Sequence, residues 1–351
     1  MARLSSHVPS LRVKVFILKP SSLGDVIQAL PVLRMIRKHH GEAEIYWWLD
    51  SRLVPLLEGD PDLAGIIPFE RRRWASPLHW DEALKSIRAM RSHRFDWVVD
   101  LQSLARSATC AWLAGGEFTI GLEDPREGAH ALYDVAVPRP SYDTHAVDWY
   151  LGILAPLGVP IDWNIDWLPL RPRVAQALNE KWHPERGRWI AIQPGARWTT
   201  KRWPTDYYIQ VVQRLAELVA DAHFAVLGGM DDQEAGRSIA AATPGRSLDL
   251  TGRTSLVEMI EWIRRCDLVI SNDTGPMHVA AALDRKVLAI FGPTNPRRTG
   301  PYRQIENVLQ LDLPCVPCLA THCRLEASPL ECLRGIRPDA VVERAVGMLG
   351  E

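Results

Sequence analysis

At 351 residues the chain exceeds the usual span of one compact domain, and a formal net charge of −1 leaves no basic excess to steer the whole molecule onto nucleic acid. A hydrophobic fraction of 47% with 24% charged residues excludes a largely disordered chain. No run of about 18 uncharged apolar residues meets the requirement for a membrane span, so the expectation is a cytoplasmic, two-domain protein that meets any anionic partner locally.

Residues 13–18 (VKVFIL) predict a buried strand. The turn after it carries Ser21, Ser22, Gly24 and Asp25, and Ile27, Leu30, Leu33 and Ile36 then follow helical periodicity, with Pro31 expected to kink that helix or mark its first turn. Residues 44–49 and 95–101 predict further strands with a helical stretch at 81–91 between them, an alternation that builds a mostly parallel sheet. Residues 156–172, rich in Pro and Trp and without periodicity, read as a linker, dividing the chain into domains 1–165 and 166–351.

The second half repeats the rhythm. Strands are expected at 189–193, 224–227, 247–250, 268–271 and 287–291, with helices at 205–220, from about 232, at 255–265 and at 275–283. Ser255 and Glu258 have capping-box spacing at the start of one of these helices. Each half is therefore an open α/β sheet, whose ligands belong at the carboxyl ends of its strands.

The loops at those strand ends carry the chemistry. Ser22 and Gly24 let backbone approach a ligand, and Asp25 either serves as a general base or caps its helix. The loop 193–204 concentrates hydroxyls (Thr199, Thr200), glycine and three cations (Arg197, Lys201, Arg202), which suits a diphosphate; a solvated basic loop is the plainer account. Residues 271–278 join a strand directly to a helix and so offer backbone N–H groups to an anion. There Asp273 either binds sugar hydroxyls or, like Thr274, caps the helix, while Gly275 and His278 carry no assignment by themselves. The acidic stretch 231–234 after another strand suits ribose hydroxyls, but it lacks the glycine fingerprint of an NAD site.

Together these segments resemble glycosyltransferase family 9, the ADP-heptose:lipopolysaccharide heptosyltransferases, over about residues 13–310. Residues 19–26 (KPSSLGDV) are similar to the family's amino-terminal signature and residues 271–283 (SNDTGPMHVAAAL) to its donor-site signature. The resemblance implies a GT-B fold, two Rossmann-like α/β/α domains facing a central cleft. It also implies inverting, metal-independent transfer, with a lipid-linked glycan of Kdo-lipid A type bound by residues 1–165 and an ADP-sugar by residues 166–351.

By the same resemblance Asp25 is the base, Lys201 and the Thr274–Gly275 helix end stabilise departing ADP, and Asp273 orients the heptose. Thr199, Thr200 and His278 join the donor site, Glu234 meets the ribose and Thr254 the adenine. Ser22, Gly24, Arg72, Arg73 and Arg126 face the acceptor, the arginines because their segments resemble those that meet acidic sugar and phosphate in heptosyltransferase I. The implied place of work is the inner face of the inner membrane, as a peripheral contact, with no nucleic-acid partner and no cofactor required for catalysis. The rivals are a family 9 transferase using another nucleotide sugar or a protein acceptor, and a nucleotide-sugar-binding protein without turnover.

Cys315, Cys318, Cys323 and Cys332 depart from the heptosyltransferase I pattern and resemble cysteines of family members related to heptosyltransferase II. Their C-x2-C-x4-C-x8-C spacing in a loop-like segment, 312–335, is compatible with structural zinc or iron, and a cytoplasmic setting argues against disulfides.

Overall fold

The computed structural model describes residues 12–70, 73–74 and 76–350. The chain divides into two compact units. The first takes the chain up to Ser21 with Ala29–Ser141 and Val147–Trp167, and the second takes Ser22–Gln28, Tyr142–Ala146 and Leu168–Glu351.

The first unit is built on a sheet of β1 (Lys14–Leu18), β2 (Glu44–Asp50), β3 (Gly65–Phe69), β4 (Trp97–Asp100), β5 (Phe118–Leu122) and β6 (Val135–Val137). Its strand order is β3-β2-β1-β4-β5-β6, and all the pairings are parallel. Helices α1 (Leu23–His39), α2 (Trp80–Ser92) and α3 (Ala105–Ala114) connect these strands. Strand β1 is central and its residues 15–18 are fully buried, which is why it reads as a continuous apolar run. Pro31 does not mark the first turn of α1: it lies inside the helix, which runs from Leu23 to His39.

The second unit repeats the plan. Strands β7 (Arg188–Gln193), β8 (Ala222–Val226), β9 (Ser247–Asp249), β10 (Leu268–Asn272), β11 (Lys286–Ile290) and β12 (Val308–Leu309) lie in the order β12-β11-β10-β7-β8-β9, again all parallel. Helices α4 (Thr205–Leu218), α5 (Gln233–Ala241), α6 (Leu256–Arg265), α7 (Gly275–Ala282) and α8 (Pro338–Leu349) flank it. Tyr208, Val211, Val212 and Leu215 of α4 pack with Val341, Val342 and Ala345 of α8 over the strands. The expected capping box opens α6, with Ser255 and Glu258 each accepting the other's backbone N–H.

Both sheets are Rossmann-like, and in each the strand order reverses beside the first strand, between β1 and β4 and between β7 and β10. That reversal opens a crevice at the carboxyl ends of the strands. Among the described residues, no helix is long and apolar enough to cross a membrane.

Candidate active site

In the second unit the crevice is organised by Asn272, the last residue of β10. Its Nδ2 donates to the Pro194 carbonyl at 2.7 Å, and its Oδ1 accepts from the Trp203 N–H at 3.2 Å and the Tyr208 hydroxyl at 3.0 Å. One fully buried carboxamide thus pins both ends of the loop 194–203 to the strand beside it. Arg202 closes the loop on itself, donating to the Ala196 carbonyl at 2.7 Å.

Held in this way, the loop directs Lys201 to Asp273. Lys201 Nζ lies 2.5 Å from Asp273 Oδ2, which also accepts from the Thr294 hydroxyl at 2.6 Å, and the ammonium sits 4.8 Å from the centre of the Trp198 ring. Asp273 is buried, so its charge is supported by these two donors and not by bulk water. Immediately after it, Thr274 is extended and α7 begins, with Pro276 in its first turn and no acidic residue there. The helix end therefore presents backbone N–H groups and the positive end of its dipole to an anion.

A cavity of about 420 Å³ is lined by Ser22, Gly24, Asp25, Lys201, Asp273, Thr274, Gly275 and His278, together with Gln28, Arg197 and Trp198. The start of α1 belongs to the second unit because it packs against the start of α7. A Cβ on Gly275 would come within 2.8 Å of the Leu23 side chain, and one on Gly24 within 2.4 Å of the His278 ring. Asp25 caps its own helix and also lines the cavity. Its Oδ2 accepts from Ser22 N–H at 2.9 Å and Ser22 Oγ at 2.6 Å, the bond that an N3 carboxylate makes back to its cap, while the residue lines the cavity.

His278 is buried, which pushes its pKa down to about 4; Asp273 and Asp25 oppose that shift, and His145 and Lys201 reinforce it. The imidazole is therefore neutral at physiological pH, so Lys201 and Arg197 are the cations lining this cavity.

A second cavity of about 450 Å³ shares Arg197, Thr274 and Pro276 with the first. Gln193, Gly228, Gly229, Asp231, Asp232, Thr254 and Met259 complete much of its wall. Asp232 holds its own turn by accepting the Gly229 N–H at 2.9 Å, leaving Asp231 as the exposed carboxylate on the rim. Gln193 Oε1 is buried there without a hydrogen-bond partner among the described residues.

Several residues singled out in the sequence lie elsewhere. Glu234 is exposed on the first turn of α5 and lines neither cavity. Thr199 and Thr200 line neither; the Thr200 hydroxyl donates to the Ala320 carbonyl at 2.9 Å and ties the loop to the cysteine segment. In the first unit Arg73 pairs with Glu82. Arg126 forks onto Asp124 with bonds of 2.9 and 2.5 Å. Arg71 and Arg72 lie outside the described residues.

The thiols of Cys315, Cys318 and Cys323 act electrostatically on Cys332, whose pKa burial and then these neighbours push up to about 11. Among the described residues, however, no three His, Cys, Asp or Glu side chains are gathered closely enough to share a metal ion. Gln28 lies outside the segments singled out from sequence, whereas Asp231 and Gln193 fall within two of them without a role of their own. Gln28 had a legible signal, since it stands three residues after Asp25 on the same helix face.

Two Rossmann-like sheets, one with a carboxylate, a lysine and a helix N-terminus around its switch-point cavity, define a glycosyltransferase of the GT-B type. The model of Glycosyltransferase family 9 (heptosyltransferase) matches residues 83–328, and the chain belongs to that family. Lipopolysaccharide heptosyltransferase 1 of Pseudomonas aeruginosa is 29% identical over 325 residues, covering 89% of this chain and 87% of the relative. Two solved structures share the fold. A family 9 glycosyl transferase from Veillonella parvula has a TM-score of 0.79 at 23% identity, covering 97% of this chain and 98% of its own. ADP-heptose lps heptosyltransferase II of E. coli has a TM-score of 0.75 at 24% identity, covering 96% and 98%.

Proposed function

We propose that this chain transfers heptose from ADP-heptose to the inner core of lipopolysaccharide, with inversion at the anomeric carbon and no metal ion in the reaction. The observation that carries this reading is the convergence of Asp25, Lys201, Asp273 and the Thr274–Gly275 helix end on one cavity. The relatives' names supply the identity of donor and acceptor.

Asp25 takes the proton of the acceptor hydroxyl as that oxygen bonds to the anomeric carbon. The bond from that carbon to the diphosphate oxygen breaks on the opposite side, and ADP leaves with the electron pair. Lys201, Arg197 and the N–H groups at the start of α7 meet the charge that develops there, the work a divalent ion does in other transferases. Asp273, fixed by Lys201 and Thr294, receives hydroxyls of the heptose. The adenosine half occupies the second cavity, with Thr254 backbone beside adenine and Asp231, in preference to Glu234, on the ribose.

We assign acceptor recognition chiefly to residues 1–165 and donor binding to 166–351. Arg72, Arg73 and Arg126 are the proposed contacts to an acidic acceptor of Kdo-lipid A type, and the protein meets the cytoplasmic face of the inner membrane peripherally. No step is assigned to a metal at the cysteines, and elemental analysis of the purified chain decides whether one is held there.

The test is transfer from ADP-heptose to a heptose-deficient lipid acceptor, with and without chelator. Asp25→Asn should lower kcat by about 10²–10⁴-fold, the usual worth of a general base, while ADP affinity stays within about twofold because the residue serves the acceptor. Equal loss of ADP affinity removes Asp25 from that role, and transfer abolished by chelator removes the metal-free mechanism.

A further inference from the structure

Gln28 lies one turn beyond Asp25 in α1, so the two side chains emerge from the same helix face. Both line the 420 Å³ cavity. Gln28 is only 3% exposed, and its Nε2 is buried without a hydrogen-bond partner among the described residues. A buried amide nitrogen in this condition has given up its water and received nothing in exchange, a state native proteins rarely keep. A methionine or leucine would fill the same space without that penalty. The amide is useful if a ligand oxygen completes it.

The chemistry of the site says which ligand. In an inverting displacement the attacking oxygen and the leaving oxygen stand on opposite sides of the anomeric carbon. On the transfer reading Lys201 and the start of α7 serve the leaving oxygen and Asp25 the attacking one, and all of them line this cavity. Gln28 shares Asp25's helix and face, and therefore borders the acceptor.

We propose that Gln28 Nε2 donates a hydrogen bond to an oxygen of the acceptor sugar next to the attacking hydroxyl, and so selects which hydroxyl is presented to Asp25. This rests on the transfer reading above. Asp25 and Gln28 are three residues apart, roughly 4.5 Å along the helix axis, a spacing that lets the two side chains serve neighbouring positions on one sugar ring.

The test uses the full chain carrying Gln28→Met, which keeps volume and removes the donor. The expected result is a melting temperature equal to or above that of the unsubstituted protein, because an unsatisfied group has been removed. The acceptor KM should rise about tenfold, the worth of one neutral hydrogen bond, with the ADP-heptose KM held within about twofold. Linkage analysis of the product should also show transfer to more than one hydroxyl. A lower melting temperature with parallel loss of all kinetic constants makes Gln28 a packing residue and overturns the proposal. A rise in donor KM alone moves the contact to the transferred sugar and overturns it as well, as does an unchanged acceptor KM. If the unsubstituted protein transfers no heptose, the functional reading fails, and this inference falls with it.

Discussion

Asp273 holds two donors on one oxygen, Lys201 Nζ and Thr294 Oγ1, and this arrangement fixes the position of the lysine charge before any ligand arrives. Preorganisation of this kind matters because a charge already in place needs no reorientation when negative charge develops on a departing phosphate. His278 lies in the same wall and obeys the opposite electrostatics: burial holds it neutral, with a pKa of about 4 against an ordinary value near 6.5. The sign of the consequence follows from proton counting. Between those two values the unfolded chain binds the proton and the folded chain does not, so stability rises with pH through this window. The contribution is fully present above about pH 6.5, is lost as pH falls towards about 4, and is worth about 3 kcal/mol at its full extent. His278→Gln should therefore flatten the pH dependence of unfolding across pH 4–6.5 relative to the unsubstituted protein. Denaturant midpoints measured at several pH values check this, and two parallel curves would show that His278 does not titrate in this way.

The elements that carry these residues meet through missing side chains. Leu23 occupies the space above Gly275, and the His278 ring occupies the space above Gly24, so the first turn of α1 and the first turns of α7 lock together. Neither glycine has a positive φ, so each is required for close approach and not for backbone conformation. Gly24→Ala places a Cβ 2.4 Å from a buried ring carbon, and should destabilise the protein by about 1–3 kcal/mol, the range for overpacking a tight contact. It should also reduce turnover by moving Asp25. Thermal melts and kcat check the two effects together, and a fully active, equally stable Gly24→Ala protein would contradict the packing argument.

How much of this was legible in sequence depended on burial. Central strands such as 14–18 and 268–272 announce themselves because both faces are covered and every residue must be apolar or locally paired. Strand Gly65–Phe69 did not, since Pro68 and partial exposure weaken its pattern. Strand Phe118–Leu122 was hidden by Gly121, which is there because the Tyr133 ring fills the place of its side chain. At the site, composition and position marked the two loops as candidates, and resemblance to the family's signatures gave them roles. Which of Asp231 and Glu234 faces the second cavity was not legible, because one turn of helix decides it. The unsatisfied amide of Gln28 was equally hidden, since it is a property of packing.

At the scale of the whole chain, the residues that line the two cavities come from widely separated stretches: 22–28, 193–202, 228–232, 254–259, 273–278 and Thr299. All belong to one compact unit, although the first of them is separated from the rest by most of the other unit's sequence. A ligand that binds only the folded site stabilises the segments it closes, by about 2.7 kcal/mol at one hundred times its dissociation constant. ADP should therefore slow backbone hydrogen exchange in the loops 194–204, 228–232 and 273–277 and in the first turn of α1, while leaving the interior of β4 and β5 unchanged. The start of α1 is the informative segment. Protection there would show that the 22–28 turn is energetically part of the nucleotide site despite its distance in sequence. Protection confined to residues beyond 168 would leave Asp25 outside the ADP-binding unit, and its pairing with the leaving group would then depend on the acceptor.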